Sequence, residues 1–266
     1  MNDLLVLFFS CVSQYLIFTT LTHTCTNILS TTAKRSWILT ILASIIMTVA
    51  SITLLLSQVP LITSIDQLQE SIYTRIIAIY FQSYVLSDII IGKVYYPKEI
   101  TKVTGYIHHT LYFITIYFIL RWNLSVLFVL VGIEEIPTLV LGIGYIDKSQ
   151  RRDYLFGFTF FITRIVLHSI FILLVYTSYD YPYWMMALGV FPLNLYWFYK
   201  WIMQQYRRYQ EYLEEIRFYS LEDDLEYGFS SDDEFQIKED LKFFDRLSHE
   251  QSLDRFRREN KESVYG

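Results

Sequence analysis

Two adjacent histidines, His108 and His109, open an otherwise apolar stretch, GYIHHTLYF at 105–113. Imidazole acts as a general base or a nucleophile near neutral pH, so two neighbouring rings could divide one proton-transfer or group-transfer task. Other ionisable side chains also fall inside apolar runs: Asp88, Glu134, Glu135, Arg164 and His168. Such a group at the centre of a bilayer costs about 2.5–3.5 kcal/mol on insertion scales, so each needs a partner or a task. Asp88 could orient one imidazole through its ring N–H. Glu135 and Arg164 have opposite charge, and a buried pair is the cheapest way to keep both. His168 follows Arg164 by four residues and shares its helix face. The two cysteines, Cys11 and Cys25, have neither the number nor the spacing of a disulfide framework or a zinc site.

The elements that must position these groups are apolar helices. The chain is 53% hydrophobic and 18% aromatic, which points to a membrane protein and excludes disorder for most of its length. A bilayer core needs roughly 20 apolar residues per helix. Seven segments answer that description, at 4–22, 37–57, 72–91, 106–121, 124–143, 155–178 and 183–203. The fourth and fifth are divided only by Arg121-Trp-Asn123. With the N-terminus outside, the cytosolic loops hold Lys34, Arg35, Lys93, Lys98, Lys102, Lys148, Arg151 and Arg152, and the opposite loops hold no base. That bias follows the positive-inside rule and predicts a lumenal N-terminus and a cytosolic C-terminus. The first segment lacks a basic leader and its bases follow it, as in an anchor rather than a cleaved signal peptide.

Depth then groups the polar residues. At ~1.5 Å per residue, Asp88, His108 and His109 lie about one turn inside the cytosolic ends of their spans, and Glu135 and Arg164 lie roughly 14–16 Å deep. The expected result is an Asp/His mouth below a Glu/Arg/His layer. Pro137 and Pro192 free the carbonyls of Ile133 and Leu188, the latter near Asn194. Broken backbone at membrane depth is tolerated where it is buried in protein or lines a wet cavity, which favours a central chamber. Plainer readings stand beside these. One histidine of the pair could merely bond a neighbouring helix, Glu135–Arg164 could be a clamp that fixes register, and His168 could be a packing residue.

Charge divides the chain further. Residues 1–205 hold 12 Lys/Arg and 10 Asp/Glu, whereas residues 206–266 hold 10 and 17. Without a basic face, nucleic-acid binding is excluded. The reading is of two leading transmembrane helices over 1–69, a transmembrane core over 70–205 and an acidic cytosolic tail over 206–266. Residues 204–219 should continue the last helix, and the acidic stretch after them should be disordered. Ser220, Ser230 and Ser231 each precede an acid by three residues, although a solvated tail explains the charge equally. Leu241, Phe244 and Leu247 could share one face of a short helix.

Asp88 in the third span, His108-His109 opening the fourth, Glu135-Ile-Pro-Thr138 in the fifth and Arg164 in the sixth together resemble the TLC-domain family, over about residues 70–205. That family includes ceramide synthases, a translocon-associated membrane protein and several lipid-regulating proteins. The resemblance implies an all-α polytopic membrane protein whose helices surround a lipid-accessible chamber, usually in the endoplasmic reticulum. In ceramide synthases the paired histidines move an acyl group from acyl-CoA to a sphingoid base, and here those roles fall on His108 and His109. The chain departs from that branch. Tyr112 stands where ceramide synthases have a threonine, and GIEEIPTLVLGIG lacks the aspartates of their acidic stretch.

Two functions are therefore expected. One is an acyl-CoA-dependent acyltransferase acting on a sphingoid base or other lipid amine, with His108 and His109 catalytic, Asp88 orienting them, and Glu134, Glu135, Arg164 and His168 forming the polar layer. The other is a non-enzymatic protein that binds or senses lipid in the same chamber. A third and weaker reading is a cargo receptor or insertion partner that recruits cytosolic proteins through its tail. The expected partners are membrane lipids, with acyl-CoA as co-substrate, and self-association and a tail partner are left open. No metal and no tightly bound cofactor is expected.

Overall fold

The computed structural model describes residues 2–58, 67–179 and 183–226, and these form helices and turns without a strand. Leu241, Phe244, Leu247, Ser230 and Ser231 lie outside the described residues. The helices are α1 (Asp3–Thr24), α2 (Thr32–Arg35), α3 (Ile38–Gln58), α4 (Ile72–Tyr95), α5 (His108–Arg121), α6 (Ser125–Leu130), α7 (Ile136–Ile146), α8 (Asp153–Phe160), α9 (His168–Ser178) and α10 (Trp184–Glu226). A wide π-helical segment, Lys102–Ile107, leads into α5. A tight 3-10 segment, Val131–Glu135, joins α6 to α7, and a second π-helical segment, Phe161–Leu167, joins α8 to α9.

Five of the described helical stretches are long and apolar enough to cross a bilayer: Asp3–Thr24, Thr32–Gln58, Ile72–Tyr95, Ser125–Ile146 and Asp153–Ser178. The described residues are thus all-helical, and their five apolar helices are compatible with an integral membrane protein. Two of the seven expected segments fall outside this set. α5 has 14 residues, which at ~1.5 Å each span ~21 Å and fall short of a ~30 Å core. α10 carries Pro192 inside it and runs on into a charged segment. The acid-rich residues 221–226 form the described end of that helix.

Residues up to Trp201 form one compact unit. α4 lies deep in it, and its first turn is closed by a capping box between Ser71 and Thr74. α1 is apolar all round, with Leu4, Phe8, Phe9 and Leu16 exposed as lipid requires and only Gln14 and Phe18 buried. Gln14 Nε2 donates to Ser83 Oγ of α4 at 2.8 Å. Arg75, in the first turn of α4, fastens the start of α1 as well, 2.6 Å from Asp3, and also lies 2.9 Å from Glu70. α3 packs against the 3-10 segment, where a Cβ on Gly132 would sit 2.8 Å from the Met47 carbonyl oxygen. A small residue at that position allows close helix approach in a membrane. Ser51 donates to the carbonyl of Leu130 at 2.7 Å, using an oxygen where the helix changes pitch. The turn between α5 and α6 bends at Asn123, whose φ of 56° is one that asparagine tolerates.

The second unit begins at Ile202. Its described residues continue α10 and expose Tyr206, Tyr209 and Tyr212.

Candidate functional site

The polar residues of the first unit fall into two groups. The larger is assembled where two helices lose their regular pitch. Pro137 at the second position of α7 lacks the N–H that a regular helix would use, and the chain answers with the 3-10 turn that ends at Glu135. Opposite it, Arg164 sits within the π-helical turn. Such turns inside helices are frequent at functional sites.

Arg164 is 6% exposed. Its Nε donates to the Glu134 carbonyl at 2.8 Å, and its Nη2 donates to Glu135 Oε1 at 3.0 Å and to Thr138 Oγ1 at 2.8 Å. Ser44 of α3 donates to the other Glu135 oxygen at 3.0 Å. The Phe160 ring lies 5.6 Å from the guanidinium carbon. One turn on, His168 is 4% exposed and its Nδ1 lies 2.7 Å from Glu134 Oε1. Its Nε2 lies 3.0 Å from the carbonyl oxygen of Ala187 in α10. A carbonyl only accepts, so Nε2 carries hydrogen and donates, and one further proton is shared between Nδ1 and the Glu134 carboxyl. Phe191 stacks on the same ring, almost parallel. None of these four side chains leaves a buried nitrogen or oxygen without a partner. The group ties α3, α7, α9 and α10 together.

The smaller group joins α4 to α5. Asp88 and His109 are both buried. The Tyr96 hydroxyl donates to Asp88 Oδ1 at 2.6 Å. Asp88 Oδ2 lies 3.4 Å from His109 Nδ1, close enough to attract it but out of line for a hydrogen bond. His109 packs against the edge of Tyr84, whose hydroxyl donates to Thr40 at 3.1 Å. His108 lies beside it, with ring centroids 5.4 Å apart, and is enclosed by Tyr112 at 4.6 Å and by Trp197 of α10 at 5.0 Å. Its Nδ1 is buried without a partner. Tyr84 lies within electrostatic reach of Asp88 and also of Glu135 and Arg164.

The structure therefore brings Asp88 to His109, Glu135 to Arg164, and His168 to Glu134. The Tyr96 hydroxyl on Asp88, the sharing of Glu134 with His168, and the support from Ser44 and Thr138 were not anticipated. Tyr96 is eight residues beyond Asp88, and the only signal is that spacing, which the turn closing α4 brings back on itself. Arg75 was also missed. An arginine five residues after Glu70 in an apolar span is a readable signal. Among the described residues, His, Cys, Asp and Glu do not gather in threes that could hold a metal ion. A small cleft lined by Val140, Gly144, Arg151 and Phe156 lies away from both groups.

Compared with known proteins, the chain matches no family model, no curated protein and no solved structure.

Proposed function

We propose that this chain is a multi-pass endomembrane protein of lipid metabolism in which Asp88, His109 and His108 move an acyl group from acyl-CoA to a lipid amine. The observation that carries this reading is the row Tyr96–Asp88–His109–His108, an acid held by one hydroxyl and facing one of two adjacent imidazoles. The reaction class comes from the TLC-domain resemblance of the His pair, Glu135-Ile-Pro-Thr138 and Arg164. In the proposed reaction the Nδ1–H of His109 swings into line with Asp88, 3.4 Å away, which leaves the ring's lone pair on Nε2. That nitrogen takes a proton from the amine as the amine nitrogen closes on the thioester carbonyl carbon. The C–S bond breaks as the adduct collapses, and the imidazolium returns the proton to the CoA thiolate. The products are an amide and free CoA thiol. Asp88 orients the ring and offsets the imidazolium charge. In this reading seven segments cross an endoplasmic reticulum membrane around a lipid-accessible chamber, one of them α5 together with the π-helical Lys102–Ile107 that precedes it, with the N-terminus lumenal and the C-terminus cytosolic.

A second reading has its own support. His108 is enclosed by Tyr112 and Trp197, and Tyr112 replaces the threonine of ceramide synthases. That enclosure suits a head-group contact in a protein that binds lipid without turnover. The test is labelled long-chain acyl-CoA mixed with a panel of sphingoid bases and other lipid amines, followed by mass spectrometry of lipid and protein. An acylated lipid made by wild type and lost in His109→Ala supports transfer. No transfer from a monodisperse protein that retains lipid supports binding.

A further inference from the structure

Asn194 is the most deeply enclosed polar side chain of α10, at 0% exposure. Its amide oxygen and its amide nitrogen both lack a partner. A leucine of similar size would fill the position without that cost, because an unsatisfied buried amide forfeits its hydration and receives nothing in return. The residue sits two positions after Pro192, which leaves the carbonyl of Leu188 without its usual helical donor.

Its surroundings give the site a location. Trp197 and Trp201 follow Asn194 by three and seven residues and share its face. Trp197 meets His108 of α5, and Trp201 occupies the space in which a Cβ on Gly157 would stand. On the other flank of Asn194, Ala187 and Phe191 meet His168. Asn194 thus lies along α10 between the two polar groups, on the side of His108 and its unpartnered Nδ1.

The chemistry of the unpartnered atoms defines what fits. The charged groups nearby are already matched: Arg164 by Glu135, Glu134 by His168, and Asp88 by Tyr96 and His109. Left unpartnered on α5 and on α10 up to Trp201 are Nδ1 of His108 and of His109, both amide atoms of Asn194 and the indole N–H of Trp201, and none of these carries a fixed charge. Arg164 is held by Glu135, and Lys200, six residues beyond Asn194, lies over the Tyr196 ring, whereas a hydroxyl or an amide could both donate to and accept from Asn194.

We propose that Asn194, with His108, holds an uncharged hydroxyl- or amide-bearing head of a membrane lipid that enters between α5 and α10. This rests on the lipid-directed reading above and names the class of lipid.

The test uses the full-length chain in phosphatidylcholine nanodiscs doped with a diacylglycerol, a ceramide or phosphatidic acid, with retained lipid read by native mass spectrometry. Wild type should retain the diacylglycerol or the ceramide and not phosphatidic acid, and the preferred one separates a hydroxyl head from an amide head. Asn194→Leu should bind at least ten-fold more weakly and, without lipid, melt higher than wild type. Should Asn194→Leu fail to fold, His108→Phe, which keeps the ring contacts, should weaken binding in the same direction. Equal binding by wild type and both variants, or a preference for phosphatidic acid, overturns the Asn194 site alone. Retention of none of the three lipids by wild type overturns the site and the lipid-directed reading together.

Discussion

Arg164, Glu135, Glu134 and His168 leave no buried side-chain nitrogen or oxygen without a partner, whereas Nδ1 of His109 and Nδ1 of His108 have none. The two groups share one bundle and similar burial, yet they are built in opposite ways. A satisfied network in a low-dielectric interior fixes geometry, because each member is expensive to remove. An unsatisfied one is expensive to keep, and its retention calls for a ligand or a reaction step. On the proposed reading, that difference suits a structural role for Glu134, Glu135, Arg164 and His168, and a chemical one for Asp88, His109 and His108.

The comparison can be broken most severely at Arg164. Arg164→Met leaves Glu135 buried without its cation and should cost about 3–5 kcal/mol, read as a fall in melting temperature in detergent. A near-wild-type melting temperature would show that the clamp contributes little. His168→Phe keeps a ring against Phe191 but strands the Glu134 carboxyl and the Ala187 carbonyl. A loss of about 1.5–3 kcal/mol is expected by the same measurement, since one of the lost bonds involves a charged group. Gly132→Ala presses a methyl against the Met47 carbonyl and should cost about 1–3 kcal/mol by forcing α3 from the 3-10 turn. Asp3→Asn weakens the partly exposed pair with Arg75 and should cost less than about 1 kcal/mol. His108→Phe should have the smallest effect on stability. It preserves the contacts with Tyr112 and Trp197 and deletes a nitrogen that has no partner, so the melting temperature should be nearly unchanged.

Much of the scaffold is legible in the sequence because lipid imposes long apolar runs on any helix that crosses it. The pairing of Glu135 with Arg164 is legible for a related reason, since two opposite charges at one depth have little choice of partner. The break at Pro137 follows from its missing N–H. Other features are not local and leave no such mark. The π-helical turn at Arg164 keeps His168 turned toward Glu134, and a four-residue spacing alone does not distinguish a wide turn from a regular one. The Tyr96–Asp88 bond depends on how the chain folds back at the end of α4. The network of Arg75 with Asp3 joins residues 72 positions apart, which only the packing of α1 on α4 brings together. The short α5 shows the converse case, in which an apolar segment of spanning character begins with six residues of π-helical pitch.

The most direct measurement of the central claim pairs acyl transfer with thermal stability on purified wild type and His109→Phe. Wild type should acylate a lipid amine from acyl-CoA, and the variant should lose that transfer while melting within a few degrees of wild type. Transfer that survives in His109→Phe, or that falls only in step with its stability, would contradict the assignment of chemistry to the histidine pair.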